Sequence, residues 1–160
     1  MLISADVKGL EVVTAAWLSN DKTLREEICN GVDIHSNNQR DFLLPDRLTA
    51  KRFKFKMIYG GTAGGFTTDP DLKVTGFTKP EWETVIENYY AKYRGIREWH
   101  NEIIDTVLST GFLEIPSGRI YDYRELLKEP DWYYLPKIKN YPVQGFGADI
   151  VMMARISLAR

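Results

Sequence analysis

The sequence predicts a mostly helical α+β fold. Apolar residues recur at spacings of three and four over most of the chain, which is typical of helices that pack on one face. Two stretches suggest strands: residues 2–7, whose apolar side chains alternate, and residues 112–123, which predict a hairpin that turns at residues 116–118. With 160 residues and 44% hydrophobic content, the chain is long enough for one domain with its own core.

Three helices are predicted in the first part of the chain, and they cover residues 9–18, Asp21 to Cys29, and Asp46 to about Tyr59. Asp21 is a suitable cap for the second helix, and Gly31, Gly60 and Gly61 lie where the second and third helices would end. Residues 60–77 are rich in Gly and Thr, so we expect loop or short turns there.

A long helix is predicted to begin at Thr78, because Thr78 and Glu81 fit the S/T-x-x-E capping box. Apolar residues then follow at helical spacing, at Trp82, Val85, Tyr89, Tyr93, Ile96, Trp99, Ile103 and Val107. Gly111 would end this helix, and Gly95 is a candidate kink. We expect the aromatic residues among them to form core, and stacking on nucleic acid is the alternative.

The last part of the chain predicts an irregular polar loop over residues 124–136 and a helix over residues 141–160, with Pro142 in its first turn. This helix is apolar and shows no Gly, Pro or polar stop after Ile156. Since the chain also begins in a strand that looks buried, we expect it to be a piece of a larger protein. The alternative is a complete chain with a frayed terminus.

The charges balance, with 21 Lys and Arg against 22 Asp and Glu. This excludes a general polyanion binder, so any contact with nucleic acid must come from a local patch. Cys29 is the only cysteine, which excludes an internal disulfide and fits a reducing cytoplasm. No apolar run approaches the roughly 18 residues that a membrane span needs, so no membrane contact is expected.

One local patch stands out in the segment DRLTAKRFKFKMIYGG, residues 46–61, whose five cations are Arg47, Lys51, Arg52, Lys54 and Lys56. On a helix, Arg47, Lys51, Phe55 and Tyr59 fall on one stripe. Ala50, Phe53 and Met57 fall on the other side, where they can pack. Cations one turn apart suit a polyphosphate, and rings further along suit a sugar or base. A solvated basic face with two core rings is the alternative.

The same segment fits the pattern R-x3-K-x3-[F/Y]-x3-YG and resembles motif B of the family A DNA polymerases. Three further segments resemble other motifs of that family, in its order: SADVKGLEVVTAAWLSND (motif A), GVDIHSNNQ (the D-[I/L]-H segment) and NYPVQGFGADIV (the segment after the fingers). The resemblance covers Ala5 to about Val151. The short spacing from His35 to Arg47 is similar to that of the phage branch of the family.

The resemblance implies a set of catalytic and substrate-binding residues. Asp6 and Lys51 would be catalytic, and Asp6 with the Val7 carbonyl would bind Mg²⁺. The nucleotide-binding residues it implies are Glu11, His35, Arg47, Lys51, Phe55 and Tyr59, and the DNA-binding residues are Gly60, Arg119, Asn140 and Gln144. In this assignment Glu11 excludes a 2′-hydroxyl, while His35, Arg47 and Lys51 grip the triphosphate.

Several of these residues also have a purely structural interpretation. Asp6 fits a helix cap, Glu11 an exposed first-turn carboxylate, and His35 a loop histidine. Gln144 fits a partner for the backbone near Pro142. His100, on the predicted long helix, receives no functional role.

The resemblance therefore implies template-directed addition of deoxynucleotides to a primer 3′ end, with primer–template DNA and deoxynucleoside triphosphates as partners. It implies that residues 2–20 are palm, 21–111 fingers and 112–160 a return to the palm. It also implies the cytoplasm of a bacterial host if a phage encodes the chain. The family's H-D-E motif, with its second catalytic Asp, does not occur in this sequence. We expect the isolated chain to be weak or inactive. The alternatives are a non-catalytic nucleotide- or nucleic-acid-binding fragment, one half of a split polymerase joined by a second chain, and a helical structural protein.

Overall fold

The computed structural model describes residues 7–158, and these residues are mostly helical with one small hairpin. The α-helices are α1 (Leu10–Leu18), α2 (Lys22–Cys29), α3 (Ile34–Asp41), α4 (Arg47–Ile58), α5 (Ala63–Thr68), α6 (Lys79–Lys92), α7 (Arg94–Thr110) and α8 (Asp131–Leu158). The antiparallel strands are β1 (Phe112–Glu114) and β2 (Ile120–Asp122), and single turns of 3₁₀ helix cover Lys73–Thr75 and Leu126–Lys128. The strand expected at 2–7 lies outside the described residues, apart from Val7. Within the described part, no helix is long and apolar enough to cross a membrane.

Side-chain caps fix the starts of α2 and α6. Asp21 accepts a hydrogen bond from the Leu24 backbone N–H at 2.8 Å, which satisfies one of the free donors at the start of α2. The capping box that starts α6 is confirmed, since Glu81 accepts from the Thr78 backbone N–H at 2.7 Å.

The inward face of α4 sits in an aromatic core. Ala50, Phe53 and Met57 are fully buried, which confirms the predicted orientation of this helix. The Phe53 ring lies 5.7 Å from the rings of both Trp82 and Tyr89, measured between centroids. Because these rings come from α4 and α6, their contacts hold the basic helix in place from behind.

Two helices lie where the sequence predicted none. Residues 34–41 form α3, capped by Asp33, although no helix was expected there. The Gly- and Thr-rich segment 60–77 was expected to be loop or turns, yet it contains α5, capped by the Thr62 hydroxyl. Both helices are six to eight residues long, so they lack the repeated apolar spacing by which longer helices are recognised.

The long helix predicted from Thr78 to Gly111 is in fact two helices. The chain breaks at Tyr93, two residues before the expected kink at Gly95. Gly95 instead contacts the start of α2, because its backbone N–H donates to the Asp21 carboxylate at 2.8 Å. Glycine is required for this close approach, since a Cβ at this position would lie 2.7 Å from the Asp21 Cα. Asp21 therefore caps α2 and also joins the start of α7 to it.

The hairpin at 112–123 is confirmed, whereas the helix after it begins earlier than predicted. The whole stretch 124–136 was expected to be irregular, but α8 begins at Asp131, so Pro142 lies inside the helix and not in its first turn. A proline inside a helix costs about 3 kcal/mol in an isolated helix. Packing offsets this cost, because Pro142, Val143 and Phe146 are buried and Phe146 stacks on Trp17 of α1 at 4.9 Å.

Candidate functional site

A cleft of about 790 Å³ opens between the start of α1, the connection from α2 to α3, and the outer face of α4. Six of the residues implied by the resemblance line it: Val7, Glu11, His35, Arg47, Lys51 and Phe55. Asp6, the implied catalytic carboxylate, lies outside the described residues, but its neighbour Val7 is at this cleft. Arg47, Lys51 and Phe55 of the predicted stripe on α4 therefore face the same space as the first half of the motif A segment.

Gly9 brings the start of α1 to the cleft. It adopts a left-handed conformation, with φ of 66°, which glycine reaches without steric cost. Its carbonyl accepts from the backbone N–H groups of Val12 and Val13 at 3.0 Å, so the turn leads directly into the helix. Glu11 in the first turn is half-buried and lines the cleft beside Gly9.

Arg47 is held by a carboxylate that the sequence did not assign to the site. Asp33 accepts from Arg47 Nε at 2.8 Å and from Arg47 Nη2 at 3.1 Å, which makes a bidentate ion pair. Hydrogen bonds from Arg47 and then Ser36 hold the pKa of Asp33 well below its usual range. The Asp33 carboxylate also caps α3, so one side chain orients both the arginine and the helix that carries His35.

His35 is neutral at neutral pH. Burial, followed by the positive charge of Lys54, lowers the pKa of His35 to about 4. Its ring lies 6.2 Å from the Phe55 ring, and its Nδ1 is buried without a hydrogen-bond partner among residues 7–158. The interpretation of His35 as a loop histidine is wrong, since it lies in the first turn of α3.

Lys51, like Arg47, is an exposed cation of the stripe, and Phe55 is half-buried one turn further along. Phe55 packs against the core with part of its ring, yet both residues line the cleft, so the α4 stripe presents an ammonium and a phenyl ring there. This arrangement suits a ligand with an anionic group and an apolar or stacking group.

Each of the remaining cations of α4 has a specific surrounding in the structure. Arg52 pairs with Asp71 at 3.3 Å, and Lys56 pairs with Asp69 at 2.6 Å. Lys54 does not face water: it is fully buried, and its Nζ has no hydrogen-bond partner in the part of the chain that the structure describes. Burial is the main cause that lowers the pKa of Lys54 to about 7.

Tyr59, at the end of α4, links the stripe to α8. Burial raises the pKa of its phenol, while the Gln144 side chain, which approaches the hydroxyl, acts in the opposite direction. The negative charge of Glu11 is also close enough to raise this pKa. Gln144 of α8 and the charge of Glu11 on α1 therefore both act on the Tyr59 phenol.

The other implied DNA-binding residues lie along α8 and the hairpin. Asn140 and Gln144 are four residues apart on α8 and hence on one face, and Asn140 Oδ1 is buried without a partner among the described residues. Arg119 donates from Nε to Asp149 of α8 at 3.1 Å, so its guanidinium is already paired. Gly60 packs against the Lys139 side chain and has no room for a Cβ.

The donors at the cleft fit Mg²⁺ in chemical type. Residues 7–158 contain no group of three His, Cys, Asp or Glu side chains that could hold a metal ion. Glu11 and Asp33 bring carboxylates to the cleft and Val7 borders it, and Mg²⁺ prefers such hard oxygen ligands together with substrate phosphates.

The family model "DNA polymerase family A" matches residues 1–160, and the chain belongs to this family. The chain is 28% identical to a DNA polymerase I of Lactococcus lactis over 170 residues, which cover 99% of this chain and 19% of that protein. It is 28% identical to the DNA polymerase I of Deinococcus radiodurans, covering 98% of this chain and 17% of that protein. The chain thus spans about a fifth of the length of these relatives.

A solved structure is similar over most of the fold. The POL domain of Pol1 from M. smegmatis, in a complex with DNA primer-template and dNTP, superposes with a TM-score of 0.78 at 25% sequence identity. The match covers 91% of this chain and 27% of that chain. The described helices and hairpin therefore have the arrangement of part of a polymerase domain.

The sequence missed two residues of the cleft, Asp33 and Lys54. Asp33 had a signal, because Asp is a preferred residue at a helix start and it lies inside the quoted D-I-H segment. Lys54 had none, because its burial depends on the packing of other elements on α4, which spacing along one helix does not reveal.

Proposed function

We propose that this chain forms the nucleotide-binding part of a template-directed DNA polymerase of the phage-type branch, adding deoxynucleotides to a primer 3′ end. The observation that carries the proposal is that Arg47, Lys51 and Phe55 of α4 line the same cleft as Val7 and Glu11. In this proposal residues 2–20 and 112–160 belong to the palm, and 21–111 to the fingers.

Each side chain of the cleft has a role in this proposal. The triphosphate lies against Arg47, Lys51 and neutral His35, which donate hydrogen bonds to its oxygens. Phe55 packs on the sugar and base, and Glu11 blocks a 2′-hydroxyl. Nucleotidyl transfer is promoted mainly by such positioning and charge neutralisation.

Mg²⁺ would be held by Asp6 and the Val7 carbonyl; when bound, it neutralises the triphosphate and activates the primer 3′-hydroxyl. Lys51 in turn stabilises the charge that develops on the pyrophosphate. Primer–template DNA would lie along Gly60, Tyr59 and the face of α8 that carries Asn140 and Gln144. Arg119 would contact DNA through the N–H groups that its pair with Asp149 leaves unused.

A second candidate is a non-catalytic nucleotide- or DNA-binding module, or one half of a split polymerase. The favouring observation is the exposed apolar end of α8, where Met152, Met153 and Ile156 are 50 to 53% exposed. A face of this kind is suited to cover by another polypeptide, such as the remainder of the polymerase as a second chain.

Primer extension and nucleotide binding together test the proposal. The purified 160-residue chain is incubated with primer–template, dNTPs and Mg²⁺, and dNTP affinity is measured in parallel at two salt concentrations. Extension supports a polymerase that works alone. Salt-sensitive dNTP binding without extension supports the module or split half. Absence of both contradicts a nucleotide site.

Lys51→Ala sharpens this test. We expect dNTP affinity, or extension if it occurs, to fall at least about tenfold, since the variant loses a charge-assisted contact to the triphosphate. Lys79→Ala is the matched control, because Lys79 is an exposed lysine of α6 outside the cleft. Equal behaviour of the two variants would remove Lys51 from the site.

A further inference from the structure

Asp33 accepts an unusual set of hydrogen bonds for an exposed carboxylate. It receives Nε and Nη2 of Arg47 at 2.8 and 3.1 Å, the backbone N–H groups of His35 and Ser36 at 3.2 and 3.3 Å, and the Ser36 hydroxyl at 2.9 Å. Capping α3 needs only the last three. The arginine contacts therefore do something other than start the helix.

The ion pair contributes little to stability by itself. The side chains of Arg47 and Asp33 are 55% and 47% exposed, and exposed pairs of this kind are screened by solvent. What the bidentate contact does provide is orientation: it fixes the plane of a guanidinium at the end of a long side chain with many rotamers.

The orientation leaves donors free for a ligand. A guanidinium has five N–H groups, and the Asp33 contact uses one on Nε and one on Nη2. The three N–H groups that Asp33 does not use form the outer edge of the Arg47 guanidinium. Because Arg47 lines the cleft, this edge remains able to meet an anion there. Asp33 itself stays in place, since α3 and Ser36 hold it independently of the arginine.

We propose that Asp33 is a positioning residue that presents the outer edge of the Arg47 guanidinium to the triphosphate. This rests on the proposed function and adds a residue to it. In the opposite role, Asp33 would compete with the triphosphate for Arg47. Arg47 would then have to leave Asp33, and no other cation among the described residues would take its place at that carboxylate.

A double-mutant cycle separates these roles, with dATP and Mg²⁺ as the probe and the full 160-residue chain as the protein. The variants are Asp33→Asn, Arg47→Ala and their combination. Asn keeps the capping acceptor and the shape of Asp33 but lacks its charge. We expect Asp33→Asn to weaken dATP binding about fivefold to tenfold, and the double variant to bind no more weakly than Arg47→Ala.

Two controls keep the result interpretable. Asp122→Asn removes the carboxylate of another exposed bidentate pair, with Arg124 on the hairpin, and should leave dATP affinity unchanged. Asp33→Ser keeps a helix cap without a carboxylate, and thermal unfolding of both Asp33 variants shows whether α3 stays folded. A folded Asp33→Ser should bind dATP as weakly as Asp33→Asn does.

The outcomes are distinct. The positioning role is overturned if Asp33→Asn binds dATP as tightly as wild type or more tightly. It is also overturned if the fold-loss of dATP affinity in the double variant is the product of the losses in the two single variants. If Lys51→Ala weakens binding while Asp33→Asn does not, the nucleotide site stands and only the role of Asp33 falls. If the wild-type chain binds no dATP, the proposed site and the inference both fail.

Discussion

At the residue scale, Lys54 is the side chain whose position is hardest to reconcile with its chemistry. Its ammonium is buried, and the charged or titratable groups that interact with it electrostatically are Glu27, Lys92 and His35. Glu27 is already paired with Lys92 at 2.8 Å. A buried cation without its own partner destabilises a fold, so Lys54, on the helix that lines the cleft, lowers the free energy of unfolding.

Lys54→Met should therefore raise the free energy of unfolding at pH 7 by about 1–3 kcal/mol, because the cost of burying the amine disappears. The wild-type lysine binds its proton more weakly when folded, so the unfolded chain carries more protons between pH 7 and 10 and stability rises with pH there. Urea unfolding at pH 7 and 9 should show this rise in wild type and a flatter response in the variant. Lys79→Met, an exposed control, should keep the rise; a less stable Lys54→Met would contradict this account.

His100, to which the sequence assigned no role, is a structural residue. Its Nε2 lies 3.1 Å from the carbonyl oxygen of Ile58, which can only accept, so Nε2 donates and Nδ1 accepts from the Tyr90 hydroxyl at 3.2 Å. Burial, then the charge of Lys139, lowers the pKa of His100 to about 3. The neutral ring therefore holds the last turn of α4.

His100→Phe should lower the free energy of unfolding at pH 7 by about 1–3 kcal/mol, because Ile58 and Tyr90 lose their partner. The stability that neutral His100 contributes is present above pH 6.5 and is lost as the pH falls toward 3. The difference between wild type and variant should thus shrink at pH 5, as measured by urea unfolding. An equal difference at both pH values would mean that His100 is not buried neutral.

At the scale of elements, the helices that could be predicted from the sequence are those with regular apolar spacing and capping residues. α1, α2 and α4 follow from apolar periodicity and from Gly at their ends, and the stripe of α4 follows from i, i+4 spacing alone. α3 could not be predicted in this way, because only Ile34 and Asn38 are buried in it. Its only local signal is the Asp33 cap, and its position depends on packing against α4, which no local pattern reveals.

The start of α8 was misplaced for a related reason. Pro142 has no N–H and is most often found in a first turn, so the sequence suggested a helix start there. The helix instead continues through it, because α8 packs closely on α1, where a Cβ on Gly147 would lie 3.4 Å from Leu10. Likewise, the Asp33–Arg47 pair joins residues 14 apart, beyond the reach of any local pattern.

The junction between α2 and α7 is the element contact most sensitive to a small change. Gly95→Ala would place a Cβ 2.7 Å from the Asp21 Cα and 3.0 Å from the Ser19 carbonyl oxygen. Because both are backbone atoms, the helices must separate, and we expect a loss of about 1–3 kcal/mol in the free energy of unfolding.

Gly64→Ala is the matched control for this prediction. Gly64 also lies in a helix, and a Cβ there would meet nothing within 4 Å. Thermal and urea unfolding should therefore show unchanged or slightly higher stability, since alanine lowers the entropy of the unfolded chain. Equal stability of the two variants would contradict the close contact at Gly95.

At the scale of the whole molecule, α4 connects the core to the cleft, because its two faces have different surroundings. Its inner face is packed against an aromatic core centred on Phe53, and its outer face borders the cleft. The core makes the helix rigid from behind, so that Arg47, Lys51 and Phe55 are held in a line toward the start of α1. Preorganised cations of this kind can bind a triphosphate without the loss of conformational entropy that ordering a flexible helix would require.

The most direct test of this arrangement is to map where a nucleotide contacts the chain. An ¹⁵N-labelled sample of the full chain is titrated with dATP and Mg²⁺, and amide chemical shifts are followed by NMR. We expect changes at Val7, Glu11, His35, Arg47 and Lys51, with the hairpin pair Asp122 and Arg124 unaffected. Changes confined to other surfaces, or none at saturating dATP, would contradict a triphosphate site on α4.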